Sequence, residues 1–253
     1  MTTYSDYDPF AWVYDKHWGD SFTHLALRAM EKLVLPHLPA EASILDLCCG
    51  TGQLAQVLIP RGYRMTGLDG SEEMLVFARE NAPGGEFIHD DARSFKLPAV
   101  HHAVVSTFDS LNHIMTPEEL TSVFRNVFSA LREGGLFLFD LNMEAGYRLT
   151  WNDNFGIVAD DHVCVVHSSY RPEKRTARLD TTIFRLQDEW QRSDITLLQK
   201  YHPEAEVRSA LETAGFTGIH TYAYDEQWDL QELTEESERA FFLCQKPAGA
   251  DGD

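Results

Sequence analysis

From Ser43 the chain repeats one rhythm: short apolar runs at Ile44 to Cys48, Met65 to Leu68, Glu86 to Ile88, Ala103 to Thr107 and Leu136 to Phe139. Longer amphipathic segments lie between them at Gln53 to Arg61, Glu72 to Asn81 and Pro117 to Arg132. Strand-length runs alternating with helix-length segments predict an α/β fold, a parallel sheet covered by helices on both faces. The third helix has clear punctuation. Thr116 stands at the N-cap, Pro117 at the first helical position and Glu119 at the capping-box position, and Gly134-Gly135 closes it. The rhythm then changes. Val163 to Tyr170, Ala177 to Leu186 and Trp190 to Tyr201 alternate apolar and polar residues, which predicts an antiparallel meander. A last helix (Pro203 to Ala214) and two last strands (Ile219 to Tyr224, Phe241 to Gln245) follow. Ahead of the sheet, Leu25, Leu27, Met30, Leu33 and Val34 are spaced as on a helix ending near Pro36, and Tyr4, Tyr7, Phe10, Trp12, Tyr14 and Trp18 make the first twenty residues aromatic.

This pattern divides the chain into a helical leader or lid (1–38), a core (39–142 and 203–247), an antiparallel insertion (143–202) and a disordered tail (248–253). Charge adds an exclusion. With 21 Lys+Arg against 40 Asp+Glu, the net charge is −19, and a nucleic-acid partner would need a basic footprint that is missing beyond Arg171 to Arg178. The run Asp225 to Glu238, seven acids without a Lys or Arg, reads as a solvated loop and helix face. The cysteines, Cys48, Cys49, Cys164 and Cys244, show no metal or disulfide spacing. The adjacent His101-His102 reads as chance surface histidines, so no metal site is expected. No signal-like or membrane-length apolar stretch appears, and a soluble cytoplasmic protein is expected.

The chemistry concentrates at the predicted strand ends, where open parallel sheets bind their ligands. In Ile44-Leu-Asp-Leu-Cys-Cys-Gly-Thr-Gly52, Gly50 and Gly52 allow a sharp turn with a ligand lying against the backbone. Gly50-x-Gly52-x-x-Ala55 also fits a loose dinucleotide fingerprint, which keeps an NAD(P)-dependent oxidoreductase open as an alternative. Asp46 separates the two readings: a carboxylate there repels a pyrophosphate but attracts the ammonium of an amino-acid moiety. Asp69, 17 residues after Gly52, ends the second run, placed to accept from two ribose hydroxyls. Asp91, beside Ala92, can accept from an exocyclic amino group. The fourth run ends in Ser106-Thr-Phe-Asp-Ser-Leu-Asn-His113, where Phe108 and Asp109 serve either a ligand or the turn itself.

With Leu45-Asp-Leu-Cys-Cys-Gly-Thr-Gly52, Gly67-Leu-Asp-Gly-Ser-Glu-Glu-Met74, Asp90-Asp-Ala92, Leu131-Arg-Glu-Gly-Gly-Leu-Phe137 and Ala214-Gly-Phe216, the chain resembles the class I S-adenosylmethionine-dependent methyltransferases over nearly its whole length. Phe10-Ala-Trp-Val-Tyr-Asp15, the run at 106–113 and the insertion look most like bacterial small-molecule members such as sugar N,N-dimethyltransferases. The resemblance implies a Rossmann-like, doubly wound, mostly parallel seven-stranded sheet. It also implies S-adenosylmethionine as cofactor, a small-molecule N or O acceptor, and in-line transfer without a covalent enzyme intermediate. Asp46, Gly50 and Gly52 would line the methionine end and Asp69 would bind the ribose. Met74 would pack near the adenine, Asp91 with Ala92 would read its edge, and Tyr14, Cys48, Gly70 and Thr107 would complete the surround. Cys48 departs from the glycine often found there. His113 is the candidate general base, and a histidine there serves equally to satisfy a loop carbonyl. Tyr14 joins it as a catalytic candidate on a leader that either lids the site or simply buries its aromatics. The insertion is expected to wall the acceptor side or to join two copies of the chain. A non-catalytic methyltransferase-like binding protein is the remaining alternative.

Overall fold

The computed structural model describes residues 5–225, 227 and 229–249, so Tyr4 and most of the expected disordered tail lie outside the described residues. The leader forms α1 (Ala11–His17) and α2 (Thr23–Leu33). The alternating region gives β1 (Ser43–Leu47), α3 (Gln53–Leu58), β2 (Arg64–Asp69), α4 (Glu72–Asn81), β3 (Glu86–His89), β4 (His101–Ser106), α5 (Pro117–Ala130) and β5 (Leu131–Asn142). The insertion contributes α6 (Glu144–Thr150), β6 (Asn154–Val158), β7 (His162–Arg171), β8 (Thr176–Leu186) and β9 (Trp190–Lys200). The chain closes with α7 (Glu204–Ala214), β10 (Thr217–Tyr224), β11 (Leu230–Glu232) and β12 (Arg239–Gln245).

The main sheet runs β11-β10-β12-β5-β4-β1-β2-β3, with β3, β2, β1, β4 and β5 parallel and β12, β10 and β11 antiparallel. It is the Rossmann-like doubly wound fold expected, with eight strands instead of seven. The additional strand is β11, inside the acidic run read as a loop and helix face, where Leu230 to Glu232 pair with the edge of β10.

Both faces of the sheet are buried because successive strand residues point to opposite sides. Leu45, Val104, Phe137 and Phe139 pack with α5 and α7, whereas Ile44, Ala103, Val105 and Leu138 pack with α2 and α3. Thr116 caps α5 as its sequence predicts, its hydroxyl accepting from Glu119 N–H at 3.2 Å. That helix ends at Ala130, ahead of the Gly134-Gly135 stop, because β5 pairs with β4 from Leu131 onward. The histidine pair is a correction: β4 begins at His101, which is 3% exposed and contacts Ser43 Oγ through Nδ1 at 3.1 Å, so it is a core residue and not a surface one. Burial and the neighbouring His102 hold its pKa down to about 4.

The β6-β7-β8-β9 sheet is antiparallel. Its inner residues Cys164, Val166, Ile183 and Leu197 close on Phe10, Ala11 and Val13 of the leader and on Met74 of α4. The leader is thereby held between the insertion and the core, over the carboxyl ends of the parallel strands. Among the described residues no helix is long and apolar enough to cross a membrane.

Candidate active site

The order of strands reverses between β1 and β4, and a cleft opens at such a switch point. Beneath the leader lies a cavity of about 760 Å³, with a smaller chamber of about 30 Å³ beside it. Tyr14, Cys48 and Phe108 border both. Gly50, Asp69, Gly70 and Met74 line the large cavity, as do Asp91, Ala92 and His113. Asp46 and Thr107 face the small one. Gly52 borders neither. It caps α3 at φ +83°, and a Cβ there would lie 2.9 Å from the Ala78 Cα of α4.

Asp69 is fixed by the loop it serves. One carboxylate oxygen accepts Gly50 N–H and the other Ser71 N–H, each at 2.9 Å. Burial pushes its pKa up, and those backbone donors oppose the shift. Gly50, at φ +54°, has the Tyr14 ring 3.4 Å from where a Cβ would stand. Ser71 caps α4, accepting Met74 N–H at 3.2 Å, and donates to Asp8 of the leader at 2.6 Å. Asp46 differs from Asp69. It is 3% exposed, and among the described residues no donor reaches its carboxylate; burial and the charge of Asp69 push its pKa up to about 8. A buried carboxylate without a partner calls for a cation, and the ammonium of a methionine moiety fits that requirement.

Asp91 is already engaged. Arg93 Nη2 donates to it at 2.6 Å and Nε at 2.9 Å, holding its pKa down, while Nη1 reaches Glu119 at 3.2 Å. A carboxylate has about four lone-pair sites, so this fork leaves capacity for an amino donor.

His113 uses one ring nitrogen on a backbone carbonyl and the other on Tyr7. Its Nδ1 donates to Leu198 O of β9 at 2.8 Å, which leaves Nε2 as the acceptor; Tyr7 Oη donates there at 2.7 Å, and Gln199 Nε2 lies 3.2 Å away. Burial lowers the His113 pKa, keeping the ring neutral, and the nearby Asp109 opposes that shift. Tyr7, and not Tyr14, packs edge-on against His113, with ring centroids 5.3 Å apart. Tyr14 instead stands at the divide between the chambers. Gln199 is oriented by Tyr147 Oη, which donates to its carbonyl at 2.8 Å, so its amide nitrogen faces Asp109 at 2.6 Å. Arg239 donates to Asp109 at 2.7 Å and also to Asp140. Gln199, Asp140 and Arg239 escape motif reading because they come from β9, β5 and β12 and meet only through tertiary packing. The single hint is that Arg239 follows an acidic run as its first basic residue.

Residues 44–135 match the profile of a methyltransferase domain. The chain is 30% identical over 246 residues to the putative methyltransferase YqeM of Bacillus subtilis, covering 95% of this chain and 97% of that one. A dTDP-3-amino-3,4,6-trideoxy-α-D-glucopyranose N,N-dimethyltransferase of Streptomyces venezuelae is 33% identical over 108 residues, 43% of this chain and 46% of that one. A crystal structure of an S-adenosylmethionine-dependent methyltransferase from Clostridium acetobutylicum superposes with a TM-score of 0.74 at 21% identity, over 97% of this chain and all of that one. The fold is that of the S-adenosylmethionine-dependent methyltransferases. The chain belongs to the methyltransferase family, and the oxidoreductase reading of Gly50-x-Gly52 is set aside.

Proposed function

We propose that the chain transfers the methyl group of S-adenosylmethionine to the nitrogen of a small-molecule amine seated against Tyr7 and His113. The observation that carries this reading is that one cavity is lined both by Asp69 and Asp91 and by the hydrogen-bonded Tyr7–His113 pair. Bound S-adenosylmethionine supplies an electrophilic methyl on a sulfonium, open to in-line displacement. Asp46 would hold the ammonium, Asp69 the ribose hydroxyls and Asp91 with Ala92 the adenine edge, while Met74 packs beside it. His113, neutral and with Nε2 turned to Tyr7, is placed to take a proton through the Tyr7 hydroxyl from an acceptor that arrives as an ammonium. The leader acts as a lid that excludes water, tied down by Asp8 on Ser71 and by Asp15, which accepts from Gln53 at 3.1 Å and Asn81 at 2.7 Å. The insertion walls the acceptor side. An amine is favoured because, among the described residues lining the cavity, the one guanidinium, that of Arg93, is committed to Asp91 and Glu119, while Asp109 is paired with Arg239, leaving Asp6 and Asp69 to set the field.

Incubation with methyl-labelled S-adenosylmethionine and a panel of amines, amino sugars, hydroxyl compounds and RNA tests the proposal. Label should enter amines; label only on hydroxyl compounds or RNA, or binding without transfer to any of them, would reject it. On the best amine of the panel, His113→Gln should lower kcat by about a hundredfold with S-adenosylhomocysteine affinity unchanged. An unchanged rate would remove His113 from the proton route.

Asp46 gives the site a pH dependence. Its folded pKa, about 8, lies above the unfolded carboxylate value of about 3.9, so the folded chain holds this proton more tightly. That contribution to stability is complete below about pH 4 and is lost as pH rises toward about 8. A ligand ammonium needs the ionised form. S-adenosylhomocysteine affinity, measured by calorimetry, should therefore tighten roughly tenfold from pH 6.5 to 8. In Asp46→Asn it should be flat across that range; a slope that survives the substitution would assign the titration elsewhere.

A further inference from the structure

Phe108 and Asp109, at φ +63° and +49°, are consecutive non-glycine residues in the left-handed region, a conformation kept only where the surroundings enforce it. The enforcement comes from Arg239, 130 residues along the chain. Its guanidinium donates to the Asp109 carboxylate at 2.7 Å and also to Asp140. Asp140 in turn accepts the Asp109 backbone N–H at 3.0 Å. The face of the same guanidinium lies 4.4 Å from the centre of the Phe22 ring, and Phe22 stacks on Phe108 with centroids 4.9 Å apart and planes 11° apart. Arg239 therefore bears on both supports of Phe108: the Asp109 and Asp140 carboxylates that hold the turn, and the Phe22 ring that backs it. Phe22, Thr107 and Phe108 form a wall of the small chamber that holds Asp46.

We propose that Arg239 is a positioning residue for the methionine end of the cofactor, acting through Asp109 and Phe22 on Phe108 while touching no ligand itself. This rests on the placement of that end at Asp46. The three charges sum to −1, and the double variant Arg239→Met with Asp140→Asn keeps that sum on Asp109 and keeps an oxygen for the Asp109 N–H. It removes the clamp while the Gln199 amide still donates to the buried Asp109 carboxylate, which loses its cation.

The test is calorimetry on the full chain with two probes, S-adenosylhomocysteine and 5′-methylthioadenosine, the second sharing the adenosine and lacking the amino-acid end. The double variant should melt below the parent while staying folded at the assay temperature, bind methylthioadenosine within about threefold, and bind S-adenosylhomocysteine about thirtyfold more weakly. Arg239→Lys, which keeps the charge but not the two-pronged fork, serves where the double variant does not fold, and should lose about fivefold on S-adenosylhomocysteine alone. Equal weakening of both probes would show a general fold effect and overturn the proposal, as would no weakening of either. Asp46→Asn separates the two ideas. Discrimination between the probes lost there but kept in the Arg239 variants overturns the role of Arg239 alone; discrimination kept in both overturns the placement with it.

Discussion

Replacing Asp69 by alanine is expected to weaken S-adenosylhomocysteine binding by about a hundredfold or more, since each hydrogen bond from a ligand hydroxyl to a carboxylate is worth roughly 1.5–3 kcal/mol. The loss has a second source. Asp69 also accepts Gly50 N–H and Ser71 N–H, so the alanine variant releases the glycine turn from the start of α4 at the place where the ligand must lie flat. Asp69→Asn should fall between, because its amide keeps one acceptor oxygen but turns a donor toward a backbone donor. Calorimetric titration of the two variants beside the parent measures this. Parental affinity in Asp69→Ala would mean that the ligand does not use the end of β2.

Gly52→Ala should act on the fold before it acts on the ligand. A Cβ at φ +83° is strained by about 1 kcal/mol or more, and here it would stand 2.9 Å from the Cα of Ala78 and 3.0 Å from its Cβ. Backbone cannot swing aside as a flexible side chain can, so α3 and α4 would have to separate. Overpacking of this kind costs roughly 1–3 kcal/mol. Together the two effects predict a destabilisation of about 2–4 kcal/mol and a melting temperature lower by roughly 5–15 °C for a chain of this size. Thermal unfolding followed by circular dichroism checks it, and a shift under about 2 °C would contradict the packing described. Gly50 makes the contrast: its missing side chain leaves room for Tyr14 and the cavity, so Gly50→Ala should cost ligand affinity more than stability.

The difference between those two glycines shows how much the sequence disclosed. That both belong to a turn between strand and helix follows from their spacing after an apolar run, but which one faces the cavity depends on where α4 packs. Asp46, Asp69 and Asp91 were legible for the same reason: each ends a predicted strand, and the ends of parallel strands converge by topology. His113 was legible as a residue past the fourth strand; of its two readings the structure carries the one in which it satisfies a carbonyl, with Nδ1 on Leu198, and Nε2 faces Tyr7. Its setting was not legible. Gln199 is one polar residue among many on an alternating strand, and only the register β8·β9 and the fold of the insertion over the core bring it to Asp109. Arg239 is similar: its partners lie 130 and 99 residues back, and no periodicity encodes that distance. β11 escaped because a three-residue edge strand in an acidic run carries no apolar alternation.

Under the leader, the large cavity and the small chamber beside it are proposed to hold the cofactor and the acceptor together, with the reacting sulfur between them. A crystal structure of the chain with S-adenosylhomocysteine tests it most directly. Ribose hydroxyls should lie on Asp69, the ligand ammonium on Asp46, and the sulfur should face open cavity on the side of Tyr7 and His113. A ligand whose amino-acid end points to Tyr7 and His113, with Asp46 still without a partner, would contradict it.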